Sequence, residues 1–355
     1  MKILVLEGDG IGPEIARAAL NVVTKANQLF QLGITFEQMA IGFEGLKSTG
    51  STCPVAVLER VPQVDGVILG PVSHSDYPSR DKGGINPSAA LRVTFELGSN
   101  IRPARSRAGL THLRSPMDLI IVREATEGFY ADRNMASGSG EFMPDPDMAL
   151  AVRKVTARAS RRVAHAAFTL ARGRRRKVTA VHKANVLRLS DGLFLREVRA
   201  VAAEYPDVVL DEVLVDSAAA LLIRTPGRFD VIVTTNMFGD ILSDEAAELC
   251  GGLGLAGSIN VSDTICVAQA QHGSAPDIAG QGIANPTSLI LSAAMMLDWR
   301  GRRDGNEALV AAARHIEGAI DEVLANPATR TRDLGGSLGT DDFAAAVVAV
   351  LKVAT

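Results

Sequence analysis

Phe229-Asp230-Val231-Ile232-Val233-Thr234-Thr235-Asn236-Met237-Phe238-Gly239-Asp240-Ile241-Leu242-Ser243-Asp244-Glu245 is the stretch that decides the class of fold. Its first part is an apolar, β-branched run, which predicts a buried parallel strand. Gly239 then turns the chain into a helix rich in Ala, Glu and Leu. A strand that feeds straight into a helix is the building block of an open α/β sheet, and the acids fall at its carboxyl end, where such sheets bind ligands. Asp240 and Asp244 stand one helical turn apart, and two readings compete for them. An Asp early in a helix is a favoured cap, stabilised by the helix dipole. Yet like charges at this spacing repel by roughly 0.2–0.5 kcal/mol, and Glu245 crowds the same turn, which points to a metal or substrate site. Local spacing does not choose between them.

Outward from this stretch the α/β pattern repeats. Apolar runs at Lys2–Leu6, Thr35–Met39, Gly66–Leu69, Leu119–Val122 and Val178–Val181 predict further strands, and Glu14–Leu29 a helix. From Asp147 to Leu170, Met148, Val152, Val155, Ala159, Val163, Ala166 and Leu170 step by three and four, predicting one long amphipathic helix. Helices are also expected over Ser288–Met296 (opened by Pro286), Asn306–Leu324 and Asp341–Val353. A chain of 355 residues has room for two domains or one large unit. Its net charge of -3 argues against a dedicated nucleic-acid binder, and no apolar segment is long enough to span a bilayer. Met1–Leu6 meets Glu7 and Gly8 too early for a signal peptide, so a cytoplasmic protein is expected. Cys53, Cys250 and Cys266 are far apart and odd in number, and are expected to be reduced and structural.

Three motifs invite a wrong turn. Gly8-Asp9-Gly10-Ile11-Gly12-Pro13-Glu14 lies between a strand and a helix, as a Rossmann loop does. Its glycine spacing differs from G-x-G-x-x-G, and Asp9 would set a negative charge against a pyrophosphate, so a Rossmann fold is not expected. The basic run Arg172–Lys177 has no interleaved aromatics and is expected to be a solvated loop. His112 and His165 have no partner at ligand spacing, which makes them structural by default.

Several charged residues surround the acid pair in sequence: Arg92 in Leu91-Arg92-Val93, Arg102 in Ile101-Arg102-Pro103, Arg123 and Tyr130 in Arg123-Glu124-Ala125-Thr126-Glu127-Gly128-Phe129-Tyr130, Lys183 in His182-Lys183-Ala184-Asn185, and Asp216 in Val215-Asp216-Ser217. Guanidinium forks suit carboxylates. Singly each is commonplace on a protein surface. In order, together with His272-Gly273-Ser274-Ala275-Pro276-Asp277-Ile278-Ala279-Gly280 and Ile283-Ala284-Asn285-Pro286, the chain resembles the β-decarboxylating dehydrogenases acting on isopropylmalate, isocitrate, homoisocitrate and tartrate or malate, over nearly its whole length. The isopropylmalate enzymes are nearest in overall texture.

The resemblance implies an isocitrate/isopropylmalate dehydrogenase-like two-domain α/β fold: residues 1–98 and 252–355 as a cofactor-binding first domain, and 99–251 as a second domain carrying the interface of a homodimer with shared active sites. It implies Asp240 and Asp244 as ligands of Mg²⁺ or Mn²⁺, with Asp216 reaching in from the partner subunit. Arg92, Arg102 and Arg123, with Ser88, would hold a dicarboxylate or tricarboxylate substrate. Lys183, also from the partner, would be the base on the hydroxyl, and Tyr130 the acid that protonates the enol carbon. Oxidising a 2-hydroxy acid with a 3-carboxylate gives a β-keto acid that loses carbon dioxide, and a divalent cation is the electron sink for that loss. His272, Gly273, Ser274, Ala275, Asp277 and Asn285 would bind the cofactor. Asp277 suits the ribose hydroxyls of NAD and would repel a 2′-phosphate, so NAD is expected. The segment Gly84-Ile85-Asn86-Pro87-Ser88-Ala89-Ala90-Leu91 departs from the isopropylmalate enzymes, which place a Glu and two leucines at the positions of Ile85, Ser88 and Ala89. An isocitrate or homoisocitrate type, or a small-pocket tartrate or D-malate type, therefore stays open beside isopropylmalate. Outside enzymes, the alternative is an RNA-associated protein that uses Arg172–Lys177.

Overall fold

A computed structural model describes residues 1–111, 116–130, 132 and 134–352. The chain divides into two compact units: unit 1 comprises 1–95, 107–111 and 251–355, and unit 2 comprises 96–106 and 112–250.

Unit 1 begins with β1 (Lys2–Leu6), α1 (Gly12–Phe30), β2 (Thr35–Gln38), α2 (Gly42–Thr49), α3 (Val55–Arg60), β3 (Gly66–Leu69) and α4 (Pro87–Thr94). Pro13 opens α1, a position where its missing N–H costs nothing. Ile15, Ala18, Ala19, Val22, Val23 and Ala26 give this helix a fully buried face. Strand β1 lies between β2 and β3, parallel to both.

The chain then builds unit 2: β4 (Ser99–Arg105), β5 (Asp118–Glu124), β6 (Glu141–Asp145), β7 (Met148–Ala151), α5 (Ala157–Arg172), β8 (Lys177–His182), α6 (Ser190–Ala202), β9 (Val209–Leu214), α7 (Val215–Arg224), β10 (Val231–Thr234) and α8 (Asn236–Leu249). Its sheet runs β4-β5-β10-β8-β9. Strand β5 is parallel to β10, β10 to β8, and β8 to β9, while β4 is antiparallel to β5. Leu119, Ile121, Val181, Phe229, Ile232, Leu242 and Ala246 belong to one buried core cluster, which fastens α8 to the sheet.

Unit 1 is completed by β11 (Ile259–Val261), β12 (Cys266–Gln269), α9 (Thr287–Asp304), α10 (Glu307–Ala325) and α11 (Thr340–Val350). Strand β12 adds in parallel to β3, and β11 pairs antiparallel with β12. Asn306 caps α10, its side chain accepting from Ala308 N at 3.1 Å and Leu309 N at 3.3 Å. Among the described residues no helix is long and apolar enough to cross a membrane. The cysteines are free and buried.

Three sequence expectations need correction. The helix expected from Asp147 begins only at Ala157. Met148 lies in β7 of an exposed antiparallel hairpin with β6, and Val152 and Val155 lie outside the helix. The three-and-four spacing ran by chance across this hairpin, while Pro144, Pro146 and the Thr156 cap, which accepts from Ala159 N at 3.2 Å, set the true boundary. Helix α8 starts at Asn236 rather than after Gly239. The last helix ends at Val350, and Val353 lies outside the described residues, as does His112.

Candidate active site

The parallel strands of unit 2 end on one edge, and the chemistry-bearing residues lie at those ends. Thr234, the last residue of β10, is in register with Arg123 of β5 and Val181 of β8, and His182 with Leu214 of β9. Arg123 therefore lies next to the last residue of β5, Lys183 follows β8, Asp216 is in the first turn of α7 directly after β9, and Asp240 and Asp244 rise on α8 after β10. This is the edge where open α/β sheets bind ligands.

One cluster is built on two buried guanidinium groups. Arg123 is 2% exposed. Its Nε donates to Asn236 Oδ1 at 2.8 Å, one terminal nitrogen to the Tyr130 hydroxyl at 2.6 Å, and the other to Asp240. The Tyr130 hydroxyl donates in turn to Asp240 Oδ2 at 2.7 Å. Arg102, 7% exposed, sits two residues along β4 from Asn100, so both point to one face, and its Nε donates to Asn100 Oδ1 at 2.6 Å. Arg102 Nη1 lies 3.1 Å from both Asp240 Oδ1 and Asp244 Oδ1, and 2.8 Å from Ser243 Oγ. Burial and the neighbouring Arg123 cation push the Arg102 guanidinium down to about 10, opposed by Asp240 and Asp244.

Helix α8 presents this pair because Asp240 and Asp244 are one turn apart, and because nothing larger than Gly239 fits beneath them. A Cβ on Gly239 would meet the Arg123 side chain at 2.6 Å. Asp240 lies beyond the first turn, which Thr235 precedes, so the cap reading fails. Burial pushes the Glu245 carboxyl up.

Lys183 and Asp216 form a second group, Nζ to Oδ1 2.7 Å. The hydrogen bond from Lys183 holds the exposed Asp216 carboxyl below its ordinary range. Among the described residues no three of His, Cys, Asp and Glu gather into a group able to hold a metal. The Asp240–Asp244 pair nevertheless suits a hard cation. Its donors are all oxygen, and the two side chains remain 37% and 49% exposed despite their guanidinium partners, leaving coordination positions for waters, substrate and a further carboxylate.

In unit 1, Arg92 lies in the last turn of α4 and Ser88 in its first, where the Ser88 hydroxyl donates to Gln269 Oε1 at 2.9 Å. The segment after β12 carries the expected cofactor residues. Ser274 is buried, and its main-chain oxygen accepts from Ile11 N at 2.9 Å. His272 Nδ1 lies 2.9 Å from Gly273 O, its Nε2 is buried with no partner, and burial pushes the imidazole down. Asn285 donates to Asp333 Oδ2 at 2.9 Å and accepts from Thr287 N at 3.0 Å. Ala275 adopts a left-handed φ of 38° ahead of Pro276 and Asp277. A Cβ built on Gly273 or Gly280 would touch nothing within 4 Å. An orphaned imidazole nitrogen beside open glycines fits a bound polar ligand.

The Gly8–Glu14 loop is used by the protein itself. Asp9 accepts from Phe43 N at 2.8 Å, Ser73 N at 3.0 Å and the Tyr77 hydroxyl. A Cβ on Gly10 would lie 2.0 Å from Ser274 O. These glycines serve close packing, with backbone of the protein itself where a Cβ would stand. Much of the basic run is paired where it stands: Arg172 with Asp207, Arg174 with Asp118 and Asp230, and Lys177 with Asp211. His165 contacts Tyr205.

Sequence reasoning missed Asn236, Asn100, Ser243, Arg153, Asp191 and Asp333. Two of them carried a signal: Asn100 and Ser243 fall at strand and helix spacing from Arg102 and Asp240. Arg153 lies 38 residues from Asp191 and 82 from Thr235, and Asp333 lies 48 from Asn285, separations that no local pattern marks.

The α/β fold and the two buried guanidinium groups at the ligand edge of its sheet suit a protein that handles small molecules with several carboxylates. Residues 2–347 match the isocitrate/isopropylmalate dehydrogenase family, and the chain belongs to it. An isocitrate/homoisocitrate dehydrogenase from Thermus thermophilus is 42% identical over 353 residues, covering 99% of this chain and 98% of its own. A 3-isopropylmalate dehydrogenase from Methanothermobacter thermautotrophicus is 40% identical, covering 99% of each. The crystal structure of isocitrate dehydrogenase from Methylococcus capsulatus superposes with a TM-score of 0.86 at 38% identity, covering 99% of each chain. The two-domain α/β fold is thus that of this family and differs from the Rossmann fold.

Proposed function

We propose that the chain is an NAD-dependent, Mg²⁺- or Mn²⁺-dependent enzyme that oxidises and decarboxylates a 3-substituted malate, working as a homodimer with shared active sites. The observation that carries this reading is the buried Arg102–Arg123 pair bound to Tyr130, Asp240 and Asp244. Two fixed cations on the ligand edge of a sheet suit a substrate with several carboxylates, and a binding protein needs no proton donor between them. When bound, the divalent cation, held by Asp240, Asp244 and the partner's Asp216, supplies the electron sink, and the nicotinamide accepts the hydride.

The chain's own residues supply the rest. Arg92, Arg102 and Arg123 orient the carboxylates. Lys183 takes the hydroxyl proton, delivered to the partner's site together with Asp216, its ion-pair partner. Tyr130 gives a proton to the enol carbon, and the Arg123 and Asp240 contacts hold its hydroxyl in place. In this reading unit 1 binds the cofactor through the segment from His272 to Asn285, and unit 2 carries the dimer interface. The exposed Phe142, Met143, Met148 and Leu150 of the β6–β7 hairpin give that interface an apolar surface.

The 3-isopropyl substituent is the first reading for the substrate. A polar 3-substituent, as in isocitrate or homoisocitrate, is favoured by Ser88, which stands where isopropylmalate enzymes have a leucine and is backed by Gln269 and Asn260. The test is turnover of 3-isopropylmalate, isocitrate, homoisocitrate, D-malate and tartrate with NAD⁺ and Mn²⁺, following NADH and carbon dioxide together. Equal release of both, abolished by EDTA, is expected for one of them. No turnover, or a higher kcat/KM with NADP⁺, would count against the reading.

A further inference from the structure

Arg153 and Asp191 form an ion pair sealed inside unit 2, their side chains 8% and 0% exposed and Nη1 lying 2.6 Å from Oδ1. A buried pair is a poor stabiliser, because desolvation offsets most of its attraction, so its value lies in what it holds. The second oxygen of Asp191 accepts the main-chain N–H of Lys183 at 2.5 Å. Arg153 Nη2 donates to Thr235 Oγ1 at 2.9 Å, directly before α8, and Nη1 also reaches Ser190 Oγ at 3.0 Å. The guanidinium lies 5.7 Å from the ring centre of Phe129, the neighbour of Tyr130, and 5.4 Å from that of Phe238, two residues before Asp240. One planar fork therefore touches the approaches to Tyr130, to the acid pair and to Lys183. A lysine ammonium cannot span the same partners.

We propose that Arg153 and Asp191 are positioning residues that lock the Lys183 main chain to the start of α8, so that one buried pair sets both halves of the catalytic machinery a chain supplies. This rests on the reading above, in which Lys183 serves the partner's site while α8 serves its own. Under it, the pair is a mechanical link between the two active sites of the dimer.

The test uses the metal-loaded dimer, NAD⁺ and the substrate found in the panel. Arg153→Lys is expected to lower kcat about tenfold or more, as misplacement of a catalytic group does, with the substrate KM within about threefold of wild type. Thr235→Val removes only the hydroxyl acceptor, and should lower kcat about threefold, carrying the same test should Arg153→Lys fail to fold. A kcat within twofold of wild type for a folded variant overturns the proposal. Hybrid dimers then separate the two arms. A control of Lys183→Met with Tyr130→Phe chains keeps one intact site and about half the turnover. Arg153→Lys paired with Lys183→Met leaves one site whose base comes from the Arg153→Lys chain. The double variant Arg153→Lys/Lys183→Met paired with Tyr130→Phe leaves one site whose α8 comes from that chain. Both should fall about fivefold or more below the control, and if only one falls, the pair does not serve both sites. An inactive control overturns the shared-site reading alone, and the split between kcat and KM in the Arg153→Lys homodimer still decides the positioning role.

Discussion

At the scale of single residues, the cluster on unit 2 is a set of exchanges between a few charges and one phenol. Tyr130 accepts from Arg123 and donates to Asp240, so its hydroxyl is oriented before any substrate arrives. In Tyr130→Phe and Lys183→Met, kcat should fall by about 10²–10⁴ with the dimer intact, as expected when a general acid or base is removed. Steady-state rates beside sedimentation measure this, and near wild-type rates for either variant would remove its assigned role. Arg102, Arg123 and the acids were legible in the sequence because of residue type and order. Asn236 was passed over, although it joins Arg123 Nε to the Glu127 main-chain oxygen, at 2.8 Å and 2.6 Å. Nothing in a lone Asn states that its two ends face different partners.

At the scale of elements, α8 and α5 each depend on one junction. Gly239 lies against Arg123, so Gly239→Ala must push the helix or the guanidinium aside. It should cost about 1–3 kcal/mol in stability, and should also raise the substrate KM. Chemical denaturation and kinetics run on one preparation test this, and an unchanged KM would show that Arg123 tolerates the shift. Glu127 supports α5 by accepting from Thr156 N at 2.6 Å and Oγ1 at 2.9 Å, while burial pushes its carboxyl up to about 7. A raised acid pKa means the folded state holds a proton that the unfolded state has lost between about pH 4.5 and 7. Stability from this group is therefore full below about 4.5 and lost as pH rises through about 7, with an upper limit of roughly 3 kcal/mol. Glu127→Gln should flatten the melting temperature across that window, and an unchanged slope would assign the pH dependence elsewhere. The strand before α8 was legible from its β-branched run. The boundary of α5 was not, because helical spacing is easily met by chance across a hairpin and a cap.

At the scale of the whole molecule, one chain holds two charged groups: two acids with their arginines, and Lys183 with Asp216. The dimer of the proposed reading completes each with the other's counterpart. Phe142→Asp together with Met143→Asp places charges on the exposed hairpin, and should yield monomers with less than about a hundredth of wild-type activity, since a monomer lacks the base. Light scattering against rate at matched concentration checks this. Full activity in a monomer would mean that the site is complete in one chain.

The amino-acid order by itself determined the α/β class, the family and the identities of the charged residues, because residue type, spacing and the alternation of strand and helix are properties of the chain. Tertiary structure decided where Asp240 lies on its helix, that Asp9 is a buried acceptor for Ser73 N, and that Arg153 and Asp191 join Lys183 to α8. The last two depend on contacts between distant residues, Asp9 with Ser73 and Arg153 with Asp191 and Thr235. Only folding brings such groups within hydrogen-bond reach, and burial then determines how strongly they hold.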